Sequence, residues 1–416
     1  MAEHRRGANL PSIGGFNRTV VLDAVRRSPD GLSRVELASR TGLSAQTVSN
    51  VTRFLIEAGM IAESGTVVSG RGKPRTILRL EAGSRYAVGV HVDPAVVTYV
   101  LLDLAGTVVA ETTTSTPTAD DPSEVVRTIA TAVDRLVTDA EIDVDAVLGV
   151  GIASPGPIDV DAGVVLDPPF LPRWRDVPLR DALAEATGYP VLLEKDVTAA
   201  VVGEMFLAGE SSARNFAFVY FGTGFGVGLV VDHEPVRGVG SNAGDAGHIM
   251  VDQGALAGTP DSAGTRGEVG AAVAPDRLVQ IGRSRGLALS GADTGDGVAE
   301  VDRAWDELAA AIDVGDPTAI GLAEDAGAVM GNAVVLIVNL LDMDRVVFGG
   351  PFWSRVSSAA LPAARAAIVD SPLLVPKHPV VVDESDRGAD VAAVGAACLV
   401  LDAALSPRAS ALLIRR

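Results

Sequence analysis

One cysteine, Cys398, stands in 416 residues. That scarcity excludes an intrachain disulfide and any zinc site built on several thiolates. Long apolar runs are missing too. None reaches the roughly 18–20 residues that span a bilayer, although 48% of the chain is hydrophobic. The opening Met-Ala-Glu-His-Arg-Arg lacks the apolar core of a secretion signal. We therefore expect a cytoplasmic protein with no membrane partner. Positive charge is scarce, with 34 Lys and Arg against 53 Asp and Glu, a net charge of −19. It is also unevenly placed. Residues 1–81 hold 12 Lys/Arg and 7 Asp/Glu (+5), and the remainder holds 22 and 46 (−24). A basic head on an acidic body points to nucleic-acid contact by the head alone, with the body repelling phosphate. The length allows two or three domains with large cores.

The head carries the densest local pattern. Residues 1–16 are polar and Gly-rich and are expected to be mobile, and Asn17 to Arg27 reads as a first helix. Ser33 stands three residues before Glu36, the spacing of a capping box. Val35, Leu37 and Ala38 are assigned to the inner face of the short helix that follows. Gly42 supplies a sharp turn because it has no Cβ to forbid positive φ. Ser44 is placed to cap the next helix, whose inward residues recur as Val48, Val51, Leu55 and Ala58. Gln46, Thr47, Ser49, Asn50 and Arg53 are left outside. These side-chain types read base edges and phosphates in a major groove. Gly59 to Glu63 and Thr76 to Leu80 pair as two strands, with 64–75 as the wing between them and Arg71, Lys73 and Arg75 in its basic part. Such a tip suits a minor groove or flanking phosphates. The pattern is that of a winged helix-turn-helix over residues 1–82. Ser33, Arg34 and Ser44, at the helix starts, join Gln46, Thr47, Ser49, Asn50, Arg53, Arg71, Lys73 and Arg75 as candidate DNA contacts. The alternative is an ordinary helical hairpin with a solvated polar face and a charged loop.

From residue 83 the composition changes. Tyr86–Val92, Val96–Leu102 and Thr107–Thr112 are β-branched runs broken by short turns, as in three antiparallel strands. Pro122 to Ala140 is amphipathic, and Val147 to Ala153 is a buried strand that runs into Ser154-Pro-Gly-Pro157. A second set follows: Phe216–Phe221, a Gly-rich turn from Gly222 to Gly228, a long apolar helix from Ala326 to Leu341, and a strand opening on Gly349-Gly350. Similar sets in succession predict a duplicated α/β unit with a cleft between lobes, where ligands tend to sit.

The chain resembles the ROK family (repressors, open reading frames and sugar kinases) in its regulator branch. The likeness runs from Asn17 to the last helix. It rests on the Ser-Arg-Val-Glu-Leu start, Thr-Gly-Leu-Ser, Gly70-Arg-Gly-Lys-Pro-Arg75, Ser154-Pro-Gly-Pro-Ile-Asp159, Asp176-Val-Pro-Leu179, Glu194-Lys-Asp196, Gly222-Thr-Gly224, Gly244-Asp-Ala-Gly-His248 and Gly349-Gly350. It implies a mixed α/β chain: a winged helix-turn-helix joined to an actin-like, ribonuclease-H-like, two-lobed sugar-kinase-type domain. The lobes would be roughly 83–196 with the C-terminal helix, and 197–388, within a sensor domain of 83–416.

Departures from the family pattern matter most for function. Where family kinases carry Asp, two glycines and Thr in the first phosphate turn, this chain has His91, Asp93, Pro94 and Ala95. Pro94 has no N–H to donate, and the Asp93 carboxylate would repel phosphate. The family's three cysteines after Gly-His are absent from 249–268, which leaves His248 unable to hold structural zinc alone. No metal and no cofactor are expected. The resemblance implies a sugar cleft of Lys195, Asp196, Asp245, His248 and Glu268, with Asp196 the relic of the kinase base. Lys195 alternatively admits an acidic or phosphorylated ligand. The expected function is a DNA-binding regulator, a repressor that senses a carbohydrate as a homodimer or homotetramer. The alternatives are an active ATP-dependent sugar kinase with a DNA-binding head, and a ligand-independent regulator.

Overall fold

A computed structural model describes residues 10–67, 75–94, 96–117, 122–168, 171, 174–208, 213–251, 267–290 and 298–405. The head opens with α1 (Leu10–Arg26), β1 (Leu32–Ser33), α2 (Arg34–Thr41) and α3 (Ala45–Glu57). β2 (Ile61–Val67) and β3 (Arg75–Leu80) complete a three-stranded sheet of order β1-β3-β2. α1 starts seven residues before the expected Asn17, so the stretch from Leu10 to Phe16 is helical. The capping box at α2 is present: Ser33 accepts from Glu36 N, and the Glu36 carboxylate accepts from Ser33 N at 2.8 Å. Gly42 takes the left-handed conformation at φ 70° and ends α2. Two residues later the Ser44 side chain accepts from Thr47 N and starts α3. Val48, Val51 and Leu55 are buried against Val21, Leu22 and Val25 of α1 and Leu37 of α2. Val35 corrects the expected inner face, since it is 60% exposed. One turn of an eight-residue helix cannot aim both Val35 and Leu37 at the same core, because residues two apart do not share a face.

Two five-stranded sheets form the body. The first comprises β4 (Tyr86–Val92), β5 (Val96–Asp103), β6 (Val108–Ser115), β7 (Val147–Ser154) and β10 (Val191–Lys195), in the order β10-β7-β4-β5-β6. α4 (Pro122–Asp139) and α5 (Leu179–Thr187) belong to it, and a small hairpin, β8 (Ile158–Asp159) with β9 (Val164–Val165), follows β7. α6 (Asp196–Ala208) then leads to the second sheet. That sheet comprises β11 (Phe216–Phe221), β12 (Phe225–Val231), β13 (Glu234–Pro235), β14 (Arg345–Gly349) and β15 (Val381–Glu384), in the order β13-β12-β11-β14-β15. The helices between and after its strands are α7 (Val269–Ala272), α8 (Pro275–Ser284), α9 (Val298–Asp313), α10 (Pro317–Leu341), α11 (Trp353–Val369) and α12 (Val391–Leu405). In each sheet three antiparallel strands are extended by two parallel ones. The unit is duplicated, and α6 and α12 hold equivalent places after the last strand of each copy.

Those two helices cross face to face between the sheets. Each is apolar on nearly all sides, and most residues of each are buried. α12 packs on the first sheet and α6 on the second. Glycines allow the approach: a Cβ on Gly395 would lie 2.1 Å from the Ala199 carbonyl oxygen, and one on Gly203 would lie 2.9 Å from Gly395 Cα. Gly395→Val is therefore expected to separate the helices and cost about 3 kcal/mol, read as a lower denaturant midpoint.

Pro317–Leu341 and Gly388–Leu405 are long and apolar enough to cross a bilayer, a property that scanning for uninterrupted apolar runs overlooked. Most of each apolar stretch is buried within the protein, and that burial accounts for their composition. The head core is continuous with this region, since the α1–α3 residues share one cluster with α6 and α12.

Candidate functional site

Two surfaces gather the residues singled out from the sequence. On the head, Gln46, Asn50 and Arg53 are exposed along α3 at i, i+4, i+7 spacing and so occupy one face. The Gln46 amide donates to Asn50 Oδ1 at 3.2 Å, which aligns the two. Thr47 and Ser49 flank this row half-buried, and Ser44 is exposed at the helix start. Arg75 is exposed where β3 begins. Arg71 and Lys73 lie outside the described residues. Ser33 corrects the expected set: it is 2% exposed and its side chain is used by the capping box. Arg34 is also engaged, with Nη2 2.9 Å from Glu63 Oε1 and Nε donating to Thr52 Oγ1 at 3.2 Å.

The second surface is the cleft between the sheets. Asp196 opens α6 and its carboxylate accepts from Val197 N at 2.7 Å. Desolvation pushes its carboxyl up to about 6, against the opposing pull of Lys195, and the nearby Asp245 carboxylate raises it further. Asp245 is exposed on the loop that runs past the start of α6. His248 reaches into solvent from the same loop, and its Nδ1 is 3.0 Å from Glu268 Oε2. Glu268 is buried ahead of α7. Asp196 with Asp245, and His248 with Glu268, thus put carboxylates and an imidazole beside the 240–248 loop, groups that exchange hydrogen bonds with vicinal hydroxyls.

Lys195 behaves differently. It is 7% exposed, and its ammonium donates to the Asn242 carbonyl at 3.1 Å beneath Gly156. It is a strut rather than a free cation. Sequence reasoning missed its partners. The Asn242 side chain accepts from Ile158 N and donates to Ile158 O, both at 2.8 Å, and so ties the 240–248 loop to the loop after β7. Glu194 is paired with Arg237 at 2.6 Å across the same gap. The Glu194-Lys195-Asp196 motif announced the place, but nothing local marked Asn242, which bonds a residue 84 positions away.

The β4–β5 turn lies close by, its Asp93 near the same Tyr220 that Asp196 approaches. Asp93 N donates to Val96 O at 3.1 Å, Asp93 O accepts from Thr116 Oγ1, and Pro94 has no N–H. Ala95 lies outside the described residues. His91 is buried and faces Tyr220 of the second sheet edge to face at 6.1 Å, with Nε2 3.5 Å from the Tyr220 hydroxyl. Burial lowers the imidazole to about 4 and raises the phenol well above its usual value. Across the cleft, Gly222-Thr223-Gly224 closes the β11–β12 hairpin, with Gly222 N donating to Gly224 O at 3.2 Å. The described donors around His248 are few. Its Nδ1 is engaged with Glu268, and Cys398 is buried in α12. Among the described residues no three His, Cys, Asp or Glu side chains converge on a metal position.

Comparison with known proteins places this architecture. The xylose repressor of Bacillus subtilis (strain 168) is 28% identical over 261 residues, covering 62% of this chain and 66% of that protein. A glucokinase of Halalkalibacterium halodurans is 30% identical over 274 residues, covering 64% of this chain and 80% of the other. The chain spans between about half and two thirds of the length of the first curated relatives it matches. A crystal structure of a ROK family transcriptional regulator, a homologue of the Escherichia coli Mlc protein, superposes with a TM-score of 0.73 at 21% identity. It covers 95% of this chain and 98% of that one, head included, and speaks for the fold. The ROK family model matches residues 87–403. The duplicated sheets, the crossed helices and the Asp196 cleft are therefore a sugar-kinase-like body, and the chain belongs to the ROK family.

Proposed function

We propose that this chain is a DNA-binding transcriptional regulator, a repressor of carbohydrate-related genes that senses a sugar through a body that no longer transfers phosphate. The observation that carries the reading is the exposed Gln46, Asn50 and Arg53 row on α3, set by caps at both helix starts and joined to a ROK body. Residues 1–82 serve as a winged helix-turn-helix and 83–416 as the sensor. Ser44, Thr47, Ser49 and Arg75 supplement the row, and Arg71 and Lys73 serve the wing. In a homodimer or homotetramer, two such helices meet half-sites about one or two helical turns apart. The names of related chains, xylose repressor among them, agree with this assignment. It places the protein in the cytoplasm.

The effector is read as a sugar or sugar derivative held by Asp196, Asp245, His248 and Glu268. The amide of Asp93 is spent on Val96, Pro94 offers none, and the Asp93 carboxylate opposes phosphate oxygens. A kinase reading draws on Asp196, on Gly222-Thr223-Gly224 and on the glucokinase relative. The two readings separate in a coupled ADP-release assay over a sugar panel. We expect no turnover above background, and turnover abolished by Asp196→Asn would reverse the assignment. A calorimetric titration flat for every sugar would instead favour a regulator without a small-molecule effector.

A further inference from the structure

We propose that Arg26 is a positioning residue that couples the sugar cleft to the DNA-facing helix, with α6 as the rigid link between them. The proposal rests on the regulator reading and deepens it. Arg26 ends α1, and its side chain is 5% exposed. Its Nη1 donates to the Phe206 carbonyl at 2.9 Å, and its guanidinium carbon lies 3.8 Å over the Phe206 ring. Asp23 holds the other edge of the fork at 2.8 Å.

Phe206 sits in the last turn of α6. The last four carbonyls of a helix have no partner inside it, and a cation there also meets the negative end of the helix dipole. Arg26 therefore caps α6 from the head. The opposite end of α6, roughly 15 Å away at 1.5 Å per residue, is Asp196.

Between those ends α6 has little freedom. It is locked into α12 at the Gly203–Gly395 crossing, and Val197 to Gly203 and Phe206 are buried. A ligand that pulls on Asp196 therefore displaces the helix as a body, and the displacement arrives at Arg26. From there α1 transmits it. Val21, Leu22 and Val25 share a core with Val48, Val51 and Leu55, and the Arg18 guanidinium lies 4.3 Å over the Phe54 ring of α3. A residue that merely strapped the head to the body would loosen α1 whatever the state of Asp196. A coupling residue makes α1 respond to Asp196.

Hydrogen–deuterium exchange on the full chain tests this with four forms: the parent, Asp196→Asn, Arg26→Met and the double variant. In the parent background Asp196→Asn is expected to change exchange at α1 and α3 amides about threefold or more, and in the Arg26→Met background by clearly less. If a thermal melt shows that Arg26→Met does not fold, Phe206→Leu replaces it. That variant keeps the carbonyl, removes the ring under the guanidinium and is expected to weaken the response in the same way. No response of α1 to Asp196→Asn in the parent, or an equal response in both backgrounds, overturns the proposal. The experiment uses neither DNA nor sugar. Failure of the regulator reading would appear separately, as a parent chain that shifts no DNA.

Discussion

Asp196→Asn is expected to make this protein more stable and less responsive at once. Burial holds the Asp196 carboxyl at about 6 against an ordinary 3.8. Between those values the folded chain keeps a proton that the unfolded chain releases. Stability therefore falls as pH rises from about 4 to about 6 and is flat above. Removing the charge should return about 1–3 kcal/mol at neutral pH and abolish that slope, as read by denaturant titration at several pH values. The same change removes a charged acceptor for a sugar hydroxyl, which costs about 10- to 100-fold in effector affinity. In the parent, calorimetry should show effector affinity dropping below about pH 6, where the carboxyl gains its proton. A group kept charged at the expense of stability is what a binding site requires and a core does not. An Asp196→Asn chain that is less stable and binds sugar as before would place the site elsewhere.

Asn50→Ala with Arg53→Ala is expected to cut DNA affinity about 100-fold while leaving the melting temperature within a degree or two. Each good base contact discriminates by about 1–3 kcal/mol, and the loss of one phosphate-seeking cation lowers the salt dependence by about one counterion. Both side chains are exposed, so stability has little to lose. Fluorescence anisotropy at two salt concentrations separates the contributions. Asn50→Ala alone should relax sequence preference with the salt slope unchanged. Arg53→Ala alone should weaken all sequences alike and flatten the slope.

How much of this was legible beforehand depended on how far each interaction reaches along the chain. The caps at Ser33 and Ser44 were readable because capping joins residues three apart. So were β4 and β11, whose expected bounds coincide with the observed ones, because β-branched and aromatic runs bounded by turns leave little choice. Val35 was misassigned because an eight-residue helix offers too few turns to fix its phase. α10 begins at Pro317 and not Ala326, since its first turns carry Gly321, Glu324 and Asp325 within an otherwise apolar helix. α6 and α12 are apolar all round, so no stripe announces what they pack on, and their crossing appears only in three dimensions. The cleft was legible as a set of residue types through the family likeness, yet its geometry was not. Lys195 had been assigned as a contact, and the strut it makes to Asn242 depends on a loop 47 residues away. Arg26 carried no signal at all, because its partner is 180 residues distant.

On the proposed reading, the β4–β5 turn keeps the family fold and gives up phosphate. The Asp93 amide donates to Val96 O, and Pro94 has no N–H to offer a ligand. His91 then fills the neighbouring space against Tyr220, where burial keeps the imidazole neutral. On this account the cleft still closes on a sugar, and the free energy of closure is directed to the head and not to a phosphoryl group. Closure shifts DNA affinity only by as much as the sugar prefers one state over the other.

The most direct measurement is a mobility-shift titration of the full chain on the DNA upstream of its own gene, at low salt, with D-xylose, D-glucose and related sugars added in turn. The account predicts a retarded band whose midpoint moves with at least one sugar and does not move when Asp196 is replaced by Asn. A chain that retards no DNA at low salt, or whose retarded band ignores every sugar, contradicts it.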